Sequence, residues 1–356
     1  MSKSAWYEGW QEKCAQATSY MNSPDLKTPP DALKAELTTF RNFTVYKAVF
    51  ESNRIEKAGL SESDTRKLIV DEGYSLDQSP SAIDSIFLSR KLRATQSELS
   101  KTRKKQPIVI FRNKKREARE VILHKLAIDY ARYLCPALKI KALIGELDAA
   151  PRAKLLPGLV PVLNKLSRIL SQEENLFSEK TIRDLHFLMA NGLIRQDAGV
   201  PAGFYRQDPV KTDDQTYYMS YENVPRAMKQ FVREANRLLQ SEENPIMKAA
   251  RISYDFVAIH PFPDFNGRLS RLMMNMVLWY EGLPFLAVLR GNAKEKHRYI
   301  YSLRRANRGD LSWYAALIAK AVIEGFDQLN SSLEQAGLKK IKPAEKGHRN
   351  PAKENT

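Results

Sequence analysis

The sequence predicts an all-α protein. Three observations carry that reading: apolar residues recur at helical spacing along most of the 356-residue chain, few stretches alternate with period two, and the clearest segment boundaries are helix caps and breakers. In order, the periodic segments run near residues 30–57, 81–100, 115–134, 158–171, 178–191, 222–240, 245–259, 267–281, 293–307 and 311–334. Residues 60–115 are polar and broken by Gly73, Pro80 and Pro107, which reads as an insertion or linker. One segment looks extended: Gly203-Phe-Tyr-Arg206 through Tyr217-Tyr-Met219, with a turn over Thr212-Asp-Asp-Gln215, predicts a small β-hairpin. Asn244-Pro245 is a cap followed by proline at the first helical position. From there Ile246, Ala249, Ala250, Phe256 and Val257 form a buried face leading to His260, and Pro261 with Pro263 ends the helix. Asn266-Gly267 opens the next helix, whose apolar stripe is Leu272, Met273, Met276, Val277 and Tyr280, and Gly282 with Pro284 closes it. No internal repeat emerges, and residues 339–356 have the composition of a disordered tail.

The hydrophobic share of 43% and charged share of 28% are those of a globular protein. Two cysteines, Cys14 and Cys135, make no disulfide framework and no zinc pattern, so a reducing compartment is expected. The first residues lack the apolar stretch of a secretory leader, and no run approaches the roughly 18 apolar residues of a membrane span. A soluble intracellular protein follows, cytoplasmic or, through its basic runs, nuclear. The formal charge of +16 is concentrated in two places. Lys101 to Arg119 carries nine basic residues against Glu117, and Lys339 to Lys353 carries six against Glu345. With no aromatic interleaving and no nucleic-acid motif, these read as a solvated linker and tail. Nucleic-acid binding through 101–119 is the alternative from a different class.

The chemistry concentrates in His260-Pro-Phe-Pro-Asp-Phe-Asn-Gly-Arg-Leu-Ser-Arg271. A helix opening at Asn266-Gly267 offers unpaired N–H groups and partial positive charge to an anion, and Gly267 has no Cβ to hold a phosphate away. Arg268 and Arg271, three apart on one face, can both grip phosphate oxygens with forked bonds. Asp264 is a hard oxygen ligand suited to Mg²⁺. His260 can take a proton from an incoming hydroxyl. Phe262 faces inward as an anchor. A base, a metal ligand, an anion nest and two arginines within twelve residues are the parts of a phosphoryl-type transfer site.

His260, Phe262, Asp264, Asn266, Gly267, Arg268 and Arg271 resemble the Fic-domain signature H-x-F-x-[DE]-G-N-G-R-x-x-R. Leu185-His-Phe-Leu-Met-Ala-Asn-Gly-Leu193 resembles the helix before the family's flap, Gly203-Phe-Tyr-Arg206 the start of that flap, and Tyr221-Glu-Asn-Val-Pro225 its return. Tyr299 to Leu303, Ala306 and Gly309-Asp310 resemble the following helix and its end, so the likeness covers about residues 115–325. It implies a Fic-type helical bundle with a β-hairpin flap, preceded by a helical N-terminal extension. Residues 1–115 would form that extension, 116–335 the catalytic domain and 336–356 the basic tail. It also implies AMP transfer from Mg²⁺·ATP to a Ser, Thr or Tyr hydroxyl of a target protein, with a homodimer possible. His260 would be the general base and Asp264 the Mg²⁺ ligand. Asn266, Gly267 and Arg268 would form the anion hole, with Asn266 and Arg268 acting in catalysis. Phe265 would lie along the phosphates and Arg271 would hold the γ-phosphate. Lys211, Thr212, Asp213, Thr216 and Tyr217 would clamp the target backbone by strand addition.

Two further features bear on control. Ser52-Asn-Arg-Ile-Glu56 resembles the family's inhibitory helix [ST]-x-x-x-E-[GN], with Lys57 where Gly or Asn is expected and Gly59, two residues on, able to serve as the stop. Arg271 can pair with a γ-phosphate or with Glu56, not with both, and in some relatives the same glutamate supports removal of AMP. Phe265 replaces the first glycine of the signature. If that position needs positive φ, phenylalanine is strained there and its ring is expected close to the phosphate path. Altered donor choice, a different transferred group, or binding without catalysis are the alternatives it opens.

Overall fold

The computed structural model describes residues 6–71, 116–134, 175–194, 199–210 and 218–344. These form ten α-helices: α1 (Trp10–Met21), α2 (Asp31–Ile55), α3 (Glu62–Arg66), α4 (Arg116–Leu134), α5 (Glu179–Ala190), α6 (Val224–Leu239), α7 (Pro245–Ile259), α8 (Asn266–Tyr280), α9 (Ala293–Ala306) and α10 (Ser312–Gln335). No strand occurs among the described residues. The expected hairpin therefore finds no support in 199–210, which runs as turns and bends, or in 218–220, which is irregular, and its centre, 211–217, lies outside the described residues, as do the helices expected at 81–100 and 158–171.

α8 sits at the centre, packed against α7. All its residues except Gly267 and Tyr280 are buried, so the expected stripe is a helix enclosed on every side. Its polar side chains are satisfied: Ser270 Oγ donates to the Ser253 carbonyl at 2.8 Å, and Asn275 exchanges bonds with both backbone groups of Ala287. The ends follow local chemistry. Asn244 Oδ1 accepts from Ile246 N–H at 2.9 Å, with Pro245 at the first position, and Gly282 at φ 104 closes α8.

α1 and α2 share this core rather than standing apart from it. α1 lies along α10, where Tyr20 stacks on Phe326 at 4.8 Å. α2 buries Leu33, Leu37, Phe40, Val45 and Val49 against the rest, each worth about 1.5–3 kcal/mol. Its C-terminus is thereby driven into the region ahead of α8. No described helix is long and apolar enough to cross a membrane.

Candidate active site

The loop between α7 and α8 is set by buried polar struts. α7 ends at His260 in a left-handed conformation (φ 52), with its N–H on the Phe256 carbonyl. Buried Arg206 receives that turn: its backbone N–H donates to the Pro261 carbonyl at 2.9 Å and its Nε to the His260 carbonyl at 2.8 Å. Its terminal nitrogens donate to the carbonyls of Asp208 and Met219 at 3.1 and 2.6 Å. One arginine thus ties both ends of segment 209–218 to the loop. Buried His186 accepts from Gly203 N–H at Nδ1 (2.8 Å), which leaves Nε2 to donate to the Asp264 carbonyl (3.1 Å), and its ring stacks on Phe262 at 3.8 Å. Asn266 spends both ends of its side chain on the Phe262 backbone, at 3.0 and 2.8 Å. That leaves its backbone N–H and the second amide hydrogen of Nδ2 as the donors it can offer an anion.

His260 Nδ1 faces the Val257 carbonyl at 3.3 Å, and Tyr218 stacks on its ring at 3.9 Å. As the Nδ1–H tautomer it leaves Nε2 as the basic nitrogen. Burial lowers its pKa to about 4; the Val257 carbonyl and Glu56 pull it upward and Arg206 downward. The imidazole is neutral at pH 7.

At the head of α8, Asp264 Oδ1 accepts from Phe265 N–H at 2.6 Å while its side chain stays 55% exposed. Among the described residues no group of three or more His, Cys, Asp or Glu side chains converges as a metal cage. A single carboxylate in this setting suits Mg²⁺, which keeps waters and shares substrate oxygens. Arg271 is buried and fully engaged. Nη2 donates to Glu56 Oε1 at 2.7 Å and to the Ser52 carbonyl at 3.0 Å, Nε to Ser52 Oγ at 2.9 Å, and Nη1 to Tyr299 Oη at 3.4 Å. A Cβ on Gly267 would lie 2.6 Å from Glu56 Oε1, so any larger residue there would push this carboxylate out of its present place. Burial opposes the charge on Glu56, but Arg271, then Arg268 and Lys296, outweigh it and hold its carboxyl below its usual range.

α2 stops where Glu56 needs it to stop. Lys57, not Gly59, takes the left-handed terminating position (φ 56), with Lys57 N–H on the Arg54 carbonyl and Ala58 N–H on the Asn53 carbonyl. Phe265 also has positive φ (65). Its ring, expected close to the phosphate path, is 3% exposed and lies beneath the Arg268 guanidinium. Lys57, His260 and Phe265 are the three non-glycine residues with positive φ among those described, and all stand at this site.

The structure thus gathers Ser52, Glu56, His260, Asp264, Phe265, Asn266, Gly267, Arg268 and Arg271. Lys211, Thr212, Asp213, Thr216 and Tyr217 lie outside the described residues. Sequence reasoning missed Arg206 and His186 as struts, and a buried group behind Arg268: Asn53 of α2 with Glu120 and His124 of α4. Burial, with the charges of Arg268 and Arg271, holds His124 neutral, its pKa well below the ordinary value. Its proton is taken up only on unfolding, so the stability it contributes is full above about pH 6.5 and drains as pH falls. Between pH 6 and 5, urea denaturation of His124→Asn should show a pH slope shallower than wild type by about 1 kcal/mol per unit, nearly one proton's worth. Equal slopes would mean that His124 protonates in the folded state.

A family model described as the Fic/DOC family matches residues 176–278. A Fido domain-containing protein of Dictyostelium discoideum is 36% identical over 110 residues, 31% of this chain and 74% of that protein. The chain belongs to the Fic/DOC family. Protein adenylyltransferase Fic of Drosophila melanogaster is 35% identical to this Fic chain over 100 residues, 28% of the chain but only 20% of that relative's length. Among solved structures, Fic-1 (residues 134–508) from C. elegans has a TM-score of 0.60 at 20% identity, over 92% of this chain and 73% of that one. A Fic domain-containing signaling protein from Bacteroides thetaiotaomicron has a TM-score of 0.56 at 15% identity, over 94% and 98%. These two likenesses establish the all-α Fic fold. The family match includes the whole of 260–271 and excludes α2, so Glu56 reaches the Fic motif from outside it.

Proposed function

We propose that the chain transfers AMP from Mg²⁺·ATP to a Ser, Thr or Tyr hydroxyl of a target protein, and that Glu56 holds the site off. The observation that carries this reading is the Glu56 carboxylate bonded to Arg271 and set against Gly267: an anion from the chain itself occupies the seat at the head of α8. Phosphate must displace it. The name of the Drosophila relative, protein adenylyltransferase, supports nucleotidyl transfer as the reaction.

In this reading His260 Nε2 takes the proton of the target hydroxyl as its oxygen bonds to the α-phosphorus. The bond from that phosphorus to the bridging oxygen breaks, and pyrophosphate leaves. Arg268 and the leading N–H groups of α8 carry the charge on the phosphates, and Arg271 holds the γ-phosphate once Glu56 has moved. Asp264 would hold Mg²⁺, which would neutralise phosphate charge. The 209–218 segment, anchored by Arg206, would present the target through Lys211, Thr212, Asp213, Thr216 and Tyr217.

Parallel incubation of Glu56→Gly protein with α-³²P- and γ-³²P-labelled ATP tests the reaction class. Protein-bound label from the α position alone is the expected result. Label from γ alone would make the chain a kinase-like transferase, and from neither would leave a nucleotide-binding module.

A further inference from the structure

Phe265 is strained and buried at once, and its surroundings account for both. One face of its ring carries the Arg268 guanidinium, whose central carbon lies 3.6 Å from the ring centroid. On another side the ring meets His186 edge-on, 6.4 Å between centroids at 82°, and His186 is itself fixed by Gly203, Asp264 and Phe262. A side chain held at φ 65 persists only where its environment over-determines it, and here a rigid stack does so.

The partners of Arg268 show what the stack fixes. Its side chain is 5% exposed. Nη1 makes two long contacts, to Asn53 Oδ1 at 3.4 Å and Glu120 Oε2 at 3.5 Å. Glu120 is steadied from behind by Arg116 Nε at 3.1 Å. Nη2 stands 3.9 Å from Asp264 Oδ1, and Nε, fully buried, has no hydrogen-bond partner. Nε and Nη2 together form one forked edge of a guanidinium, the edge that grips two oxygens of one anion. So α2 and α4 hold one corner of Arg268, the Phe265 ring holds its plane, and the remaining fork is left to a ligand.

We propose that Phe265 is a positioning residue, whose ring fixes the plane of Arg268 so that the Nε–Nη2 fork meets the phosphates of the nucleotide. This rests on the nucleotide reading of the site above. It also reverses the expectation raised by the bulky side chain: taking the ring away weakens phosphate binding instead of opening the site.

The test uses the Glu56→Gly chain as parent and compares dissociation constants for Mg²⁺·ATP and for adenosine, which lacks phosphate. Phe265→Leu keeps an apolar side chain under the same backbone demand but removes the aromatic face. It should weaken Mg²⁺·ATP by about fivefold to tenfold, the scale of a cation–π contact, and leave adenosine unchanged. Phe265→Tyr should restore ATP binding to within about twofold of the parent. Phe265→Gly, which relieves the backbone, should lose at least as much affinity for ATP as Phe265→Leu. Melting temperatures of all three confirm that the folded state is being compared. Phe265→Leu binding ATP as tightly as the parent, or losing ATP and adenosine in equal proportion, would overturn the proposal. A parent that binds no ATP would overturn the nucleotide reading itself, and the proposal with it.

Discussion

Replacing Glu56 by glycine is expected to raise transfer of α-label by roughly tenfold to a hundredfold over wild type, with tighter binding of Mg²⁺·ATP. The magnitude follows from what ATP must displace. The Glu56–Arg271 contact is a charge-assisted hydrogen bond to a buried guanidinium, of the kind worth about 1.5–3 kcal/mol, and each 1.4 kcal/mol is about a factor of ten. Removal leaves Arg271 in place, because Ser52 Oγ and the Ser52 carbonyl still receive its Nε and Nη2, and Tyr299 its Nη1. It also clears the space against Gly267. The cost to the fold should be small: Glu56 has ordinary backbone angles (φ −84, ψ 5), and the left-handed stop of α2 is Lys57, which the substitution leaves alone. Time courses of incorporation, with melting temperatures for both proteins, decide the matter. Equal rates in the two would remove the regulatory reading and leave the transferase reading standing.

How much of this could be read in advance depended on the distance over which each feature is encoded. The helices around the motif were legible because their signals are local: Asn244-Pro245 starts α7, and Gly282 stops α8. Glu56 was legible because Ser52 and Glu56 fall one turn apart on one helix; Gly59 could have served as its stop, and the helix turns already at Lys57. The left-handed turn at Lys57 is paid for by tertiary contacts, including Lys296 Nζ on the Ile55 carbonyl, which no local pattern reveals. α1 was missed because its buried face is Cys14, Ala17 and Met21, too small and too sparse to register as an apolar stripe. The hairpin was expected from strand-like pieces near 203–206 and 217–219 on either side of a polar turn. In the structure Phe204, Tyr205 and Arg206 are buried for another reason, packing against Arg183 and Phe262 and tying down the His260 turn.

The site separates in the same way. Residues 260–271 form one contiguous unit whose chemistry can be listed from the residue types. Their setting cannot: Arg268 answers to Asn53 and Glu120, 215 and 148 residues away along the chain, and His186 reaches Asp264 across the fold. Phe265 shows the limit of reasoning from size. A phenylalanine at a left-handed position reads as an obstruction until its ring is seen under Arg268.

His260→Ala, made in the Glu56→Gly chain, should lower kcat by about 10²–10⁴-fold with little change in ATP affinity, because a general base acts on the target hydroxyl and not on the nucleotide. The pH profile of the parent separates this role from a structural one. The base works unprotonated, so kcat/KM falls as pH drops through the pKa of His260 in the free protein. Burial has taken that pKa to about 4, and Glu56, whose charge raises it, is absent from this parent. Activity should therefore hold nearly level from pH 8 to about 5, where an ordinary imidazole would already be mostly protonated. An acid limb with its midpoint near 6.5 would mean that the imidazole works in water, outside the burial that Tyr218 and Arg206 impose on it. A His260→Ala protein that kept its rate would remove the base altogether and leave positioning by Arg268 and Arg271 as the whole of the chemistry.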